Sequence, residues 1–306
     1  MRTRLLCCIL LSVIYGTTVS YAQRTTVSVN EFSGFRKIDI GDSFDVSVVR
    51  GEKNTVKLSV DELISEYVSS YVKDNTLYVD LDEKSFSPEL KKTFRGKNAI
   101  VPVMRAEITV KYLDTLYLHE KAVLDNAGPL FSDDSVSIVM DGNSMISNLT
   151  FKGELLTLDM SKSSSADIVA EAGSLRASLV GASIMNLKYN TETFLLNTTG
   201  SASVKTAGES EKCSVYSESS SEIKMEGKTS HLNIVGRGMS VINADALETS
   251  GASVSLAGPS HCIVDAADAL RVDISGGSHL IFNGSPALEI VRVLSSSLTR
   301  PGDTGK

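Results

Sequence analysis

The sequence predicts an all-β protein: a β-helix-like β-solenoid of ten rungs, each about nineteen residues long, behind an N-terminal β-rich cap that contains one short helix. Three observations carry this. A motif of apolar, any, Gly, any, small, any, apolar recurs along residues 116–301. The positions around it alternate between apolar and polar. Ser, Val, Leu and Gly dominate a chain with no Trp, which suits many short strands joined by tight turns.

The small residue of the motif stands at Ala122, Ser144, Ser164, Ser183, Ala202, Ser220, Gly238, Ser260, Ser278 and Ser297. Positions six and four before it are mainly apolar, as in Leu116 and Leu118, Ile138 and Met140, or Val272 and Ile274. Odd offsets carry Asp159, Asn197, Asn233 and Asp273. That period of two belongs to strands with one buried face. Two before the small residue, Gly in six of the ten copies marks a corner that needs positive φ or close backbone approach. Glu120 and Lys162 at the same place indicate an outward corner that does not strictly require Gly. One rung buries too little apolar surface to stand alone, so the rungs must stack. A propeller repeat would be more than twice as long, and the usual rule for parallel crossovers makes the coil right-handed.

Residues 23–115 lack a clear repeat and form the predicted cap, with 116–301 as the solenoid. Phe35 to Val49 alternates as two strands turning at Gly41-Asp42. Ser59 and Glu62 resemble a capping box, and Leu63, Ile64, Tyr67, Val68, Tyr71 and Val72 have helical spacing, which predicts the short helix there. Asp74-Asn75 ends it, Leu77–Leu81 reads as a strand, and polar Ser85–Asn98 as a surface loop. Ala99–Val110 returns to strand pattern. Such a region would cover one open end of the solenoid.

Arg2 and Arg4, an apolar run from Leu5 to Val13 and a small-residue site at Ser20-Tyr21-Ala22 read as a signal peptide over residues 1–22. The run is too short for a stable membrane span, and Cys7 and Cys8 come too early for a lipid anchor. The expected location is therefore the periplasm, the outer cell surface or the extracellular medium. Of 30 basic and 37 acidic residues, cleavage removes Arg2 and Arg4, leaving a formal charge of −9. That balance argues against nucleic acid and anionic lipid as partners.

Phe35-Arg36-Lys37-Ile38-Asp39-Ile40-Gly41, Asp45-Val46-Ser47-Val48, Ser250-Gly251-Ala252-Ser253, Ser275-Gly276-Gly277-Ser278 and Gly284-Ser285-Pro286 resemble, in order and spacing, the putative auto-transporter adhesin head GIN-domain family of exported bacterial proteins. The resemblance covers roughly residues 30–300. It implies a β-helix-like fold and adhesion, and carries over no catalytic residues.

Several residues invite chemistry. His261 and His279 each follow the small residue of adjacent rungs and should stack on the outer surface, a candidate metal or pH-sensitive pair. No third ligand shares their column, which holds Ser221, Met239 and Leu298. His119-Glu120-Lys121-Ala122-Val123 begins like a zinc-protease motif, but it lacks the second His and lies on a strand. The runs Ser161–Ser165, Ser217–Ser221 and Ser295–Ser297 have no nucleophile elbow and suit corners instead. Asp141 and Asp159 lie on adjacent rungs, close enough in sequence phase to approach each other. Cys213, on an outward column, and Cys262, inward and two rungs on, would be roughly 9–10 Å apart along the axis, so both are read as free thiols.

The sequence thus points to no catalytic residue and no cofactor. It describes an exported, non-catalytic binding or adhesin-like protein offering its solenoid surface to a glycan or to an envelope or host-surface protein. A carbohydrate-active β-helix enzyme, which would need clustered carboxylates, and a structural or sensing envelope component are the alternatives.

Overall fold

The structure, a computed structural model, describes residues 24–95, 99–130 and 135–301. The signal peptide expected over residues 1–22 lies outside the described residues. About 71% of the described residues are strand, in keeping with the all-β class. The N-terminal region supplies β1 (Thr25–Glu31), β2 (Lys37–Ile40), β3 (Asp45–Arg50), β4 (Thr55–Asp61), β5 (Val68–Lys73), β6 (Thr76–Leu81), helix α1 (Pro88–Phe94) and β7 (Met104–Val110). Then come β8 (Thr115–Leu118), β9 (Val123–Leu130), β10 (Ser135–Met140), β11 (Met145–Met160), β12 (Ser165–Gly181), β13 (Ile184–Gly200) and β14 (Ser203–Ser219). The chain finishes with β15 (Glu222–Gly238), β16 (Val241–Ala257), β17 (His261–Ser275), β18 (His279–Gly284), β19 (Ala287–Leu294) and β20 (Ser297–Thr299).

From β8 and β9 onward, each strand pairs in parallel with its equivalent one turn later. The result is a solenoid of about nine turns, close to the ten rungs counted in the sequence. Each long strand runs from one corner to the next. Those corners share one backbone state: Asp42, Glu120, Gly142, Lys162, Gly181, Gly200, Ser219, Gly238, Gly258, Gly276 and Ser295 all have positive φ. They stack directly, so the amide after one corner donates to the carbonyl of the corner beneath, as from Ala182 to Lys162 (2.7 Å) and Ser201 to Gly181 (2.8 Å). Glu120 (φ 56°) and Lys162 (φ 62°) show that a side chain is tolerated there.

Two residues behind nine of these corners sits a small, buried position: Ala122, Ser144, Ser164, Ser183, Ala202, Ser221, Ser240, Ser260 and Ser278. In two turns this differs from the motif count, which placed Ser220 and Gly238 there. The displacement has a consequence for Cys213. It pairs in register with Phe194 and Leu232 and is 1% exposed, so it points into the core and not outward. Cys262 is also buried, and both thiols are free.

The N-terminal region joins this stack. β2 lies in parallel between β6 and β8, and β3 between β7 and β9. Asp42 and Phe44 therefore repeat the corner and the position behind it, with Lys121 N–H donating to Asp42 O at 2.7 Å. The buried Asn126 side chain pins β9 to β3, accepting from Val48 N–H (2.9 Å) and donating to Val48 O (2.8 Å). β4 runs antiparallel to β7, and β1 antiparallel to β4.

The short helix is present, but not over residues 63–72. There, Ser65–Tyr67 makes a single 3-10 turn and Val68–Lys73 is β5, paired antiparallel with β6. The two-residue link Asp74-Asn75 has φ of 50° and 64°, the geometry of a tight hairpin turn. The helix lies in the segment expected to be a loop. Ser87 caps it by accepting from Leu90 N–H, Pro88 opens it, and Lys91 and Lys92 close it. Phe86 and Phe94 from this segment pack with Tyr67 over the N-terminal end of the stack.

Candidate binding surface

Outward positions of successive turns stack into columns, so the surface is read as ladders. On β12 to β15 two columns lie side by side: Asp167, Asn186, Lys205, Lys224, and Val169, Lys188, Ala207, Glu226. With Asn148 they line an open trough of about 520 Å³. Its floor is low because Val169 and Ala207 are short beside the lysine stems that flank them.

The electrostatics of the trough are uneven. Asn186 Nδ2 donates to Asp167 Oδ1 at 2.6 Å, and Lys224 Nζ pairs with Glu226 at 2.6 Å. Lys188 and Lys205 carry no ion pair among the described residues. Lys205 also stands directly in register with Lys224, a like-charge pair that costs free energy on neighbouring strands. An anionic group between Lys188 and Lys205 would offset that cost. Placing the small position at Ser220 put Lys224 on an inward column and separated it from Lys205.

A second polar cluster lies nearer the N-terminal end. His119, just after β8, has Nε2 3.4 Å from Asp39 and Nδ1 3.4 Å from Asp141, with Lys162 Nζ 3.6 Å from Asp141. Burial pushes the Asp39 carboxyl up, against the pull of His119. Tyr78 and Tyr117 flank Asp39 in register, and Tyr71 stacks on Tyr78 at 5.3 Å. Asp141 is thus engaged by His119 and Lys162, while Asp159 pairs in register with Val139.

His261 and His279 are paired in register, their rings stacked 5.1 Å apart. Partial burial and the neighbouring His279 hold His261 below the usual histidine range. His279 Nδ1 contacts Ser297 Oγ. Among the described residues no three His, Cys, Asp or Glu side chains come together in a metal-binding group. The first two serine runs serve packing, with Ser164, Ser217 and Ser221 fully buried, whereas Ser295 and Ser297 are exposed. No described helix is long and apolar enough to cross a membrane.

A family model described as "Putative auto-transporter adhesin, head GIN domain" matches residues 34–205 and 181–286. Among solved structures, a putative adhesin from Parabacteroides merdae is 13% identical, covering 90% of this chain and 96% of its own, with a TM-score of 0.50. A putative adhesin from Parabacteroides distasonis is 17% identical over 91% of this chain and 97% of its own, with a TM-score of 0.48. A putative lipid binding protein from the same species is 16% identical over 90% and 96%, with a TM-score of 0.45. At such identities the likeness concerns the fold. No curated protein matches the chain.

Proposed function

Because the chain belongs to the family described as putative auto-transporter adhesin, head GIN domain, we propose that it is an exported, non-catalytic binding protein whose lysine-lined trough takes an acidic glycan. Membership supports a binding or adhesin-like role in general terms. One observation carries the finer reading: Lys188 and Lys205 have no ion pair among the described residues and face the same open trough, in a chain whose formal charge is negative. A carboxylate- or sulfate-bearing sugar chain offers anions to these two groups and hydroxyls to Asn148 and Asn186. In this reading residues 23–115 cap the solenoid and 116–301 present the surface, in the periplasm, on the outer cell surface or in the medium.

The test is binding of residues 23–306 to an array of acidic and neutral glycans, with turnover of the same glycans followed in parallel. Binding confined to acidic glycans, weakened by salt and lost in Lys188→Ala/Lys205→Ala, supports the reading. Acidic-glycan binding that survives the double substitution, or no glycan binding, overturns it. Turnover would direct attention to Asp39, His119 and Asp141, whose paired carboxylates are the feature a carbohydrate-active enzyme would use.

A further inference from the structure

The two ends of the solenoid differ. At the N-terminal end, Phe35, Phe44 and Ile64 are buried beneath the hairpin of β5 and β6, the 3-10 turn and the helix segment. At the C-terminal end the last turn among the described residues is β19 and β20. Among the described residues, β19 pairs only with β17 and β20 only with β18. The outer backbone edge of β19 therefore has no strand partner. Its core columns are open too. Leu288, Ile290 and Val293 are 45%, 55% and 40% exposed, whereas their equivalents one turn back, Leu270, Val272 and Ile274, are fully buried.

An open row of backbone groups beside exposed core residues is a template for another strand. The sequence of β19 indicates which strand. Between Val272 and Asp273 the pairing shifts by one residue, because Val291 is an extra residue in β19. That bulge brings Glu289 and Arg292 onto the same outward face, although they stand three positions apart, with two residues between them. Arg271 pairs with Glu289, and Asp273 accepts from Arg292 Nε at 2.7 Å.

A second β19 laid antiparallel, with its two-fold axis between Ile290 and Val291, places Glu289 opposite Arg292 of the other copy. It also sets Leu288 opposite Val293, core side against core side. Both outward columns would then continue with alternating sign across the junction, as Arg271, Glu289, Arg292 and as Asp273, Arg292, Glu289. The edge is therefore self-complementary in charge and in apolar facing at one register, which is the condition for an isologous contact. We propose that the chain forms a two-fold, end-to-end dimer through β19, presenting two solenoids in one continuous sheet with a capped end at each extremity.

The experiment is sedimentation analysis of residues 23–306 over a wide concentration range, for the wild type and for Glu289→Arg and Arg292→Glu. Wild type should double in mass with concentration. Each variant opposes like charges at both contacts and should remain a monomer, with an unchanged far-UV spectrum. Mixing the two variants sets the two arginines of one copy against the two glutamates of the other, so a dimer of one copy of each should form. That rescue separates loss of contact from misfolding. A wild type that stays monomeric overturns the proposal, including one whose β19 amides are protected from exchange, since another segment or partner would then cover the edge. So does a dimer that persists in both single variants.

Discussion

Thr198 Oγ1 donates to Ser217 Oγ at 3.0 Å inside the predominantly apolar core. Ser217 donates in turn to Ser240 Oγ at 3.0 Å, and Ser240 to the Arg237 carbonyl at 3.0 Å. The chain of hydroxyls is complete, each donor having an acceptor. Thr206, equally buried between Leu187 and Met225, has a hydroxyl with no partner among the described residues. Similar side chains in one core should therefore respond with opposite sign. Ser217→Ala strands Thr198 and should cost about 1–3 kcal/mol, while Thr198→Val/Ser217→Ala should cost less than the single change. Thr206→Val removes an unsatisfied group at constant shape and should gain about 1 kcal/mol. Urea denaturation midpoints check all three; a stabilising Ser217→Ala would mean the hydroxyl chain contributes nothing.

The stacked corners make a second prediction. Lys162 occupies a left-handed conformation that costs an L-residue about 1–2 kcal/mol. Its neighbour Gly181 has φ of 83°, and a Cβ there would lie 2.9 Å from Lys162 O. Lys162→Gly relieves the conformational cost and loses some to backbone entropy, so a net gain of about 1 kcal/mol or less is expected. Gly181→Ala adds both strain and a close contact and should lower thermal stability by several degrees, at about 2–4 °C per kcal/mol for a chain this size. Equal effects of the two substitutions would sink the shared-corner account.

Those corners also mark where the sequence was legible. A left-handed turn with a small residue two positions on leaves a recurring mark, and the alternation around it identifies the buried face. Where several residues could fill the role, the phase was lost. Ser217 to Ser221 offers four serines in five positions, and Gly236-Arg237-Gly238 two glycines two apart, so the true corners Ser219 and Gly238 could not be chosen. That slip turned Cys213 outward and hid the Lys205–Lys224 ladder. The turn formed by β2 and β3 was hidden for another reason. Phe44 stands where other turns have Ser or Ala, and residues 51–113 separate this turn from the one stacked on it. In the cap, the spacing of Val68 and Val72 fits a helix or a strand, and only the Asp74-Asn75 turn decides for the strand.

Asp42 should make stability depend on pH. Burial raises its carboxyl, helped by Glu83, Asp80 and Glu120 and opposed by the hydrogen bond from Leu81 N–H. Above its ordinary value of 3.8 the folded state holds this proton longer than the unfolded state. Stability therefore falls as pH rises through the raised value, and the penalty is fully present at neutral pH. Asp42→Asn keeps an acceptor for Leu81 and tolerates the left-handed φ of 55°. It should raise the melting temperature at neutral pH, with the gain shrinking in acid below the aspartate range. A gain that grows in acid would refute the sign.

The two thiols can report on the open end. Burial raises Cys213 and Cys262 each to about 12, so neither supplies thiolate at neutral pH while folded. Labelling must wait for the chain to open. Cys213 is enclosed by Phe194 and Leu232 in the middle of the solenoid, whereas Cys262 pairs with Leu280, which itself pairs with Leu298 of the last turn. Solenoids open from their ends, so Cys262 should react with a thiol reagent before Cys213. If β19 pairs with a second copy, the end is held shut. Cys262 should then label more slowly in concentrated wild type than in the Glu289→Arg monomer, with Cys213 unchanged. Measuring the two rates by peptide mapping separates the cases: a Cys262 rate indifferent to concentration and to Glu289→Arg would mean that no partner closes that end.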